Sequence, residues 1–247
     1  MKKMLFIVNP RSGMLKVNRL LPEIIGLFNE NGYEVTIYIT AGPQDATNIV
    51  LQRAKDHDLV VCAGGDGTLN ETISGVLQSG LDLPIGYIPA GSTNDFAASL
   101  NLPLNVLDAA RLIVEGEPAA LDVGQFEDRY FSYVASFGAF TKAAYSTNQS
   151  IKNALGHLAY VLEGIQEIPQ IRKNHVRIEA DGIEIEDDFI FGAISNSTSV
   201  GGILKVSPDR VDMADGKFEI FLVRLPRDPM ELSEIDELPE IDEIIYC

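Results

Sequence analysis

The sequence contains no tryptophan and only two cysteines, Cys62 and Cys247. Two cysteines exclude a disulfide framework and a cysteine-rich zinc site. Cys62 lies in an apolar run and reads as a small buried hydrophobe. The three histidines, His57, His157 and His175, are dispersed without metal-ligand spacing. Basic charge is scarce, with 19 Lys and Arg against 36 Asp and Glu and a formal net charge of −17. Binding nucleic acid by phosphate neutralisation needs a basic surface, so no nucleic acid is expected as a main partner. Long hydrophobic runs are missing too. The opening MKKMLFIVNP stops at Asn9-Pro10, too short for a signal-peptide core or a bilayer span. The chain is therefore expected to be cytoplasmic, with Met4–Val8 as a buried strand. No Gly-Xaa-Ser-Xaa-Gly elbow points to a hydrolase.

What is present is a globular composition, 46% apolar and 22% charged, in 247 residues, which suits one large domain or two modest ones. Met4–Val8 is a continuous apolar run, the pattern of a strand covered on both faces. Leu20, Leu21, Ile24, Ile25 and Phe28 recur at helical spacing within 17–31, and Gly32 follows as a stop. Further strands are predicted over 33–40, 59–62 and 84–88, with helices over 46–56, 68–77 and 106–115. This rhythm predicts a doubly wound, mostly parallel α/β sheet with right-handed crossovers over residues 1–120. Past Leu121, strands follow strands, at 130–136, 175–180, 188–195 and 218–223, with one helical pattern over 151–168 and a turn at Asp181-Gly182. That pattern predicts a β-rich antiparallel second domain over 121–225. Residues 226–247 carry eight acidic residues and one basic residue, Arg227. They read as a solvated acidic tail or frayed helix, the alternative being an autoinhibitory or partner-binding segment.

The densest chemical signal is Gly64-Gly65-Asp66-Gly67-Thr68-Leu69-Asn70, between a predicted strand and a predicted helix. Glycines there permit close backbone approach, and the helix N-terminus offers free N–H groups and a positive dipole end to a phosphate. The loop lacks the Gly-Lys-Ser/Thr ending of a Walker A loop and the spacing of a dinucleotide fingerprint. Its Asp66 would repel an anion unless a divalent cation stood between them. The plainer alternative is a glycine turn with a capping aspartate. Asn9-Pro10-Arg11-Ser12-Gly13 and Gly91-Ser92-Thr93-Asn94-Asp95-Phe96 follow two other predicted strands. In a doubly wound sheet all three loops fall at the carboxyl edge, where ligands bind.

These motifs resemble the diacylglycerol kinase catalytic domain, and more narrowly the soluble bacterial lipid kinases related to sphingosine kinases. The similarity continues through Leu121-Asp122-Val123-Gly124, Tyr130-Phe131, Ala135-Ser136-Phe137-Gly138 and Asp215-Gly216. Gly-Gly-Asp-Gly-Thr alone is shared with NAD kinase and phosphofructokinase relatives, whereas Asn70-Glu71 and Asn94-Asp95-Phe96 point to the lipid branch. The resemblance implies a nucleotide site in which Gly64, Gly65, Asp66, Gly67, Thr68, Leu69 and Asn70 hold ATP phosphates. Asn9, Ser12, Thr40 and Ser92 are implied to join them, Ser92 standing where the family usually has threonine. Asp66, Asp95 and Asp122 match the family's aspartate network around a catalytic magnesium, and three clustered carboxylates would raise one another's pKa without a cation. The alternatives are an N-cap for Asp95 and a solvated strand end for Asp122. A structural magnesium is implied at Asp212, Asp215 and the main-chain oxygen of Lys217, with a plain Asp-Gly hairpin turn as the alternative.

The family's late Asp-Gly-Glu segment, whose acid serves as general base, has no match after Val223, so no base is assigned and weak turnover is expected. The closing strands are expected to be absent as well. Unpaired edges would then invite self-association, in the simplest form a homodimer. Phe126, Phe137, Phe140, Leu155, Leu158 and Val161 are candidates for an apolar lipid groove or for core. Arg11, Lys16, Arg19, Lys142 and Lys152 are candidates for contact with an anionic membrane surface or for a solvated face. The expected activity is transfer of the γ-phosphoryl of ATP to a lipid hydroxyl, diacylglycerol giving phosphatidic acid, by an enzyme transiently at a membrane. A kinase of a soluble substrate such as NAD, or a binding pseudokinase, is the alternative.

Overall fold

The computed structural model describes residues 1–12, 16–138, 173–200, 204–205, 207, 210–224 and 245–246. The chain forms two compact units, Met1–Ser132 and Tyr133–Cys247. The first unit runs β1 (Lys2–Val8), α1 (Lys16–Glu30), β2 (Tyr33–Ile39), α2 (Asp45–Arg53), β3 (Leu59–Gly64), α3 (Asp66–Ser79), β4 (Ile85–Pro89), α4 (Asp95–Ser99) and α5 (Val106–Glu115). A small hairpin of β5 (Gly124–Phe126) and β6 (Arg129–Phe131) closes it.

The four main strands are parallel in the order β2-β1-β3-β4. Met4–Val8 and Val60–Ala63 are wholly buried, as strands covered on both faces must be. Met4, Phe6, Val8, Val61 and Ala63 point to one face, where Val17, Ile24 and Phe28 of α1 and Ala109 and Ala110 of α5 complete the core. Phe6 meets Phe28 edge to face at 5.7 Å. Cys62 points to the other face, beside Thr72 of α3, and burial pushes its thiol up to about 12. α2 packs on α3 there, and the approach is close enough that a Cβ on Gly75 would lie 2.7 Å from Val50 Cβ. Helices on both faces and a strand order that reverses beside β1 make this the doubly wound sheet expected.

The first unit extends past 120, because the hairpin and the segment after it are held by α3. Asn70 Nδ2 donates to Tyr130 O at 3.1 Å, and Ser132 N donates to Asn70 Oδ1 at 2.9 Å. That grip interrupts the single strand predicted over 130–136, leaving β6 and a separate β7 (Val134–Gly138).

The second unit is antiparallel. β7, β8 (Asn174–Ala180), β9 (Ile183–Ser195), β12 (Glu219–Arg224) and β13 (Ile245–Tyr246) form one sheet, β9 pairing with β7, β8 and β12. The short β10 (Ser199–Val200) and β11 (Leu204–Lys205) pair with each other. Asp181 (φ 48°) and Gly182 (φ 83°) make a two-residue turn of the left-handed kind that suits the twist of a hairpin. β9 starts five residues before the predicted 188, since Ile183–Asp187 pairs with β8. Ile245 and Tyr246 pair with Ile220 and Glu219, so the end of the acidic segment adds a strand to β12 instead of lying wholly as a tail. The helical pattern at 151–168, residues 226–244, Gly13, Phe140, Lys142, Lys152, Leu155, Leu158 and Val161 lie outside the described residues.

On the exposed face of the β8–β9 hairpin, His175 Nδ1 lies 3.0 Å from Asp188 Oδ1 and Nε2 lies 3.2 Å from Glu186 Oε1. Hydrogen bonds to these two carboxylates, Asp188 first, hold the His175 pKa above its ordinary value. Because the folded value is the higher, the contribution to stability is complete below the ordinary histidine pKa and fades as pH rises through the folded value. NMR titration is expected to place His175 above a free histidine, with Asp188→Asn moving it down more than Glu186→Gln. An ordinary value in the parent would remove the hairpin contacts from the account.

Candidate active site

The carboxyl ends of the parallel strands bring the predicted loops together. The ladder continues one bond past each strand: Thr40 N donates to Val8 O at 2.9 Å, Asn9 N to Ala63 O at 2.9 Å and Ala90 N to Gly64 O at 2.7 Å. Thr40, Asn9, Gly65 and Gly91 therefore stand in one row along the sheet edge, next to the point where the strand order reverses.

Gly64 and Gly65 end β3 and open α3. A Cβ on Gly64 would lie 2.5 Å from both Cβ and Oγ1 of Thr68, so the threonine folds back into the space the glycine leaves. Asn9 Nδ2 donates to Thr68 Oγ1 at 2.9 Å, which ties the first loop to the second. Asn9 Oδ1 also accepts from Arg11 N at 3.0 Å. Gly91 ties in the third, because a Cβ placed on it would lie 2.6 Å from Gly65 Cα. Only a pair of glycines allows that backbone approach. Within the third loop, Asn94 stands in the left-handed region (φ 53°) and closes a ring, accepting from Gly91 N at 2.7 Å and donating to Gly91 O at 3.1 Å. Tyr87 OH donates to Gly64 O at 3.3 Å, underpinning the contact from β4. Gly65 is the N-cap of α3, and no side chain caps that helix. Thr68 N and Leu69 N both donate to Gly65 O, at 3.0 and 3.1 Å, so the turn offers an anion the amides that precede Thr68 and the positive dipole end.

Asp66 is not an open, solvent-facing carboxylate. It is the first residue of α3, two positions before the predicted helix start, and is half-buried. Its two oxygens accept from Asp95 N at 3.2 Å and Phe96 N at 3.3 Å. Burial lifts its pKa above the ordinary value, and the amides of Phe96 and Asp95 pull it part of the way back. The neighbouring carboxylates are not the cause. Asp95 opens the five-residue helix α4, where only a loop is predicted, and is 3% exposed; Asn94, not Asp95, occupies the N-cap position. Asp122 is half-buried in the segment after α5. Among the described residues no three His, Cys, Asp or Glu side chains gather into a group that could hold a metal ion. Asp66 turns both of its oxygens to the amides of α4.

Other predicted residues divide in the same way. Ser12 and Thr40 are half-buried and Ser92 is exposed. Asn70 holds the backbone at 130 and 132, so its side chain positions that segment instead of facing the loop. Glu71 accepts from Gln44 N at 2.8 Å and Ala46 N at 3.2 Å, a role that sequence spacing did not disclose. Asn94 and Tyr87 were missed as supports; an asparagine after Gly-Ser-Thr, able to take positive φ, was the available signal.

In the second unit Asp212 Oδ1 accepts from Ala214 N at 3.0 Å, and Asp215 Oδ1 accepts from Lys217 N at 2.9 Å. Gly216 (φ 77°) completes the turn, and Asp212, Asp215 and Lys217 are all exposed. Glu219, 3% exposed, stands beside this turn with no hydrogen-bond partner for Oε2. Burial, with the Asp215 charge adding to it, pushes its carboxyl up to about 7. Of the residues considered for lipid or membrane contact, Phe126 is 62% exposed, Phe137 half-buried, and Arg11 and Arg19 exposed.

A sequence model of the diacylglycerol kinase catalytic domain matches residues 3–126. The chain belongs to the diacylglycerol kinase family. A model of the YegS C-terminal NAD kinase beta sandwich-like domain matches residues 133–241. The diacylglycerol kinase of Staphylococcus carnosus is 36% identical over 90% of this chain and 73% of its own length. That of Bacillus subtilis is 34% identical over 91% and 74%. The crystal structure of a diacylglycerol kinase from Bacillus anthracis str. Sterne superposes with a TM-score of 0.75 at 26% identity, covering 100% of this chain and 83% of that one. A second Bacillus anthracis structure, 24% identical with a TM-score of 0.79, shows the same fold. Family membership makes the chain a kinase by descent, and among the described residues no helix is long and apolar enough to cross a membrane.

The double acceptor role of Asp66 has a measurable cost. Asp66→Ala leaves two amides at the start of α4 without their acceptor, and urea unfolding is expected to show a loss of about 1–3 kcal/mol. Asp66→Asn, which retains one acceptor oxygen, is expected to lose less. An unchanged unfolding midpoint in Asp66→Ala would mean that the carboxylate does not hold α4.

Proposed function

We propose that the chain transfers the γ-phosphoryl of ATP to a lipid hydroxyl, with diacylglycerol as acceptor and phosphatidic acid as product. The observation that carries this reading is the joining of the three loops at the sheet edge, through the Gly65–Gly91 backbone contact and the Asn9–Thr68 bond. Around it, the Gly64–Asn70 turn is read as the phosphate cradle, its backbone donors being the amides ahead of Thr68 at the start of α3. Asn9, Ser12, Thr40 and Ser92 are read as the polar rim that orients the nucleotide. Phosphoryl transfer asks a protein mostly for positioning and charge neutralisation, and preset backbone dipoles serve both.

The donor set suits magnesium in one way and not in another. It builds no all-protein cage, but magnesium favours one or two carboxylates plus substrate phosphates and waters. Asp66, half-buried at the start of α3, is the carboxylate read as meeting such an ion, with Asp95 and Asp122 retained as further candidates. When bound, the ion would neutralise phosphate charge that this acidic chain otherwise repels. The residues assigned bind and neutralise; none is assigned as the proton acceptor for the lipid hydroxyl. The lipid is read as being met at a membrane surface from the aqueous side.

The experiment offers radiolabelled ATP with diacylglycerol in mixed micelles and, separately, NAD. Label is expected in the lipid, and Asp66→Asn is expected to lower Mg-ATP binding. Label in NAD alone would move the chain to a soluble acceptor, and undiminished Mg-ATP binding by Asp66→Asn would remove Asp66 from the ion.

The Asp212–Lys217 turn is read as a second, structural magnesium site, supported by two exposed carboxylates that each spend one oxygen on the turn. Added magnesium is expected to raise the thermal midpoint of the parent, and Asp215→Asn to cancel part of that rise. Identical shifts in both proteins would leave the turn as a plain hairpin.

A further inference from the structure

Helix α2 has an unusual start. Its N-cap, Gln44, stands in the left-handed region (φ 67°) and provides no side-chain cap. A non-glycine residue holds that conformation only where its surroundings fix it. The fixing group is the carboxylate of Glu71, which comes from α3: one oxygen accepts from Gln44 N at 2.8 Å and the other from Ala46 N at 3.2 Å. Thr47 Oγ1 returns a bond to Glu71 O at 2.8 Å. An anion at this position also complements the positive end of the α2 dipole. Gly75, one turn further along α3, permits the close helix approach that lets Glu71 reach.

A local Ser, Thr or Asp cap would have stabilised α2 equally well, but it would have fixed α2 only to itself. A cap supplied by α3 fixes the start of α2, and so the loop after β2, relative to the glycine turn that opens α3. The loop is clamped at its other end as well, since Thr40 N bonds to Val8 O and Ala41 N donates to Asp45 Oδ2 at 2.7 Å. We propose that Glu71 is a positioning residue of the nucleotide site, setting the Thr40–Gln44 loop against the Gly64–Asn70 turn. The inference rests on the nucleotide reading above and adds to it the device that keeps two of its walls in register. A ligand that touches both walls loses affinity when they drift, because small misplacements are costly in a preorganised site.

The test uses the full chain with Glu71→Ala and Glu71→Gln. Kd and KM for Mg-ATP, kcat, and amide hydrogen exchange at Gln44 and Ala46 are measured. Removing two charge-assisted hydrogen bonds is expected to raise Kd and KM about tenfold in Glu71→Ala. Glu71→Gln, with one acceptor oxygen left, is expected to fall between Ala and parent. kcat is expected to stay within about twofold, the signature of lost binding without lost chemistry. Exchange at both amides is expected to quicken. If Glu71→Ala does not fold, Glu71→Gln, equal in size, carries the comparison. A fall in kcat and thermal midpoint with unchanged KM would mean a structural role only and overturn the proposal. Mg-ATP binding equal to the parent in both variants would overturn it and leave the nucleotide reading standing, whereas a parent that binds no Mg-ATP would overturn both.

Discussion

Two loops can press Cα against Cα only where neither carries a side chain. Gly65 and Gly91 meet in that way, and a Cβ on Gly91 would come within 2.6 Å of Gly65 Cα. The contact is a constraint more than a source of energy, since dispersion between a few backbone atoms amounts to only about 0.1–0.2 kcal/mol per atom pair. Its effect is geometric. With the turns after β3 and β4 in contact, the first amides of α3 and the ring closed by Asn94 share one small volume. Everything else at the sheet edge adjusts to that spacing: Tyr87 supports Gly64 from beneath, and Asn9 reaches Thr68 from the β1 side.

α3 gathers these constraints into one element. Asp66 holds the start of α4, Thr68 takes the bond from Asn9, Asn70 holds the backbone at Tyr130 and Ser132, and Glu71 holds the start of α2. Successive residues of a helix point in different directions, so a run of polar side chains from 66 to 71 can grip four segments around its axis. Each grip is worth on the order of 1 kcal/mol, more where a carboxylate is the acceptor. Such polar runs are costly in a helix that needs an apolar face. α3 meets that demand with Leu69 inside the run and Ile73 and Val76 beyond it, all buried.

The periodic features of the fold were legible because they repeat. The continuous apolar run at Met4–Val8, the spacing from Leu20 to Phe28 and the helix from Val106 to Glu115 stand where the pattern puts them. The location of the loops was legible for the same reason, since parallel strands fix which edge the glycine turns occupy. Less regular features were not. α4 has five residues and shows no period. The break between β6 and β7 depends on Asn70, sixty or more residues away in sequence. Asp66 reads as an open ligand because its neighbours in sequence are glycines, and only the fold brings the amides of Asp95 and Phe96 to it. Composition and motif describe which groups are near in sequence, whereas hydrogen-bond satisfaction is decided by groups near in space.

Charge supplies the last step. The three loops at the sheet edge contain one basic residue, Arg11, against Asp66 and Asp95, in a chain whose net charge is −17. The loops themselves bring no lysine of the kind that neutralises phosphate in a Walker loop. Backbone amides and a helix dipole offer partial charges worth roughly half an elementary charge at the helix end. That is too little to offset several phosphate charges beside a carboxylate. Under the proposed function, a cation arriving with the nucleotide would make up the deficit, with the half-buried Asp66 as the carboxylate proposed to share it. On that proposal, the acidity of the loops would be the complement of a nucleotide that carries its own magnesium, and the same loops would hold free ATP poorly.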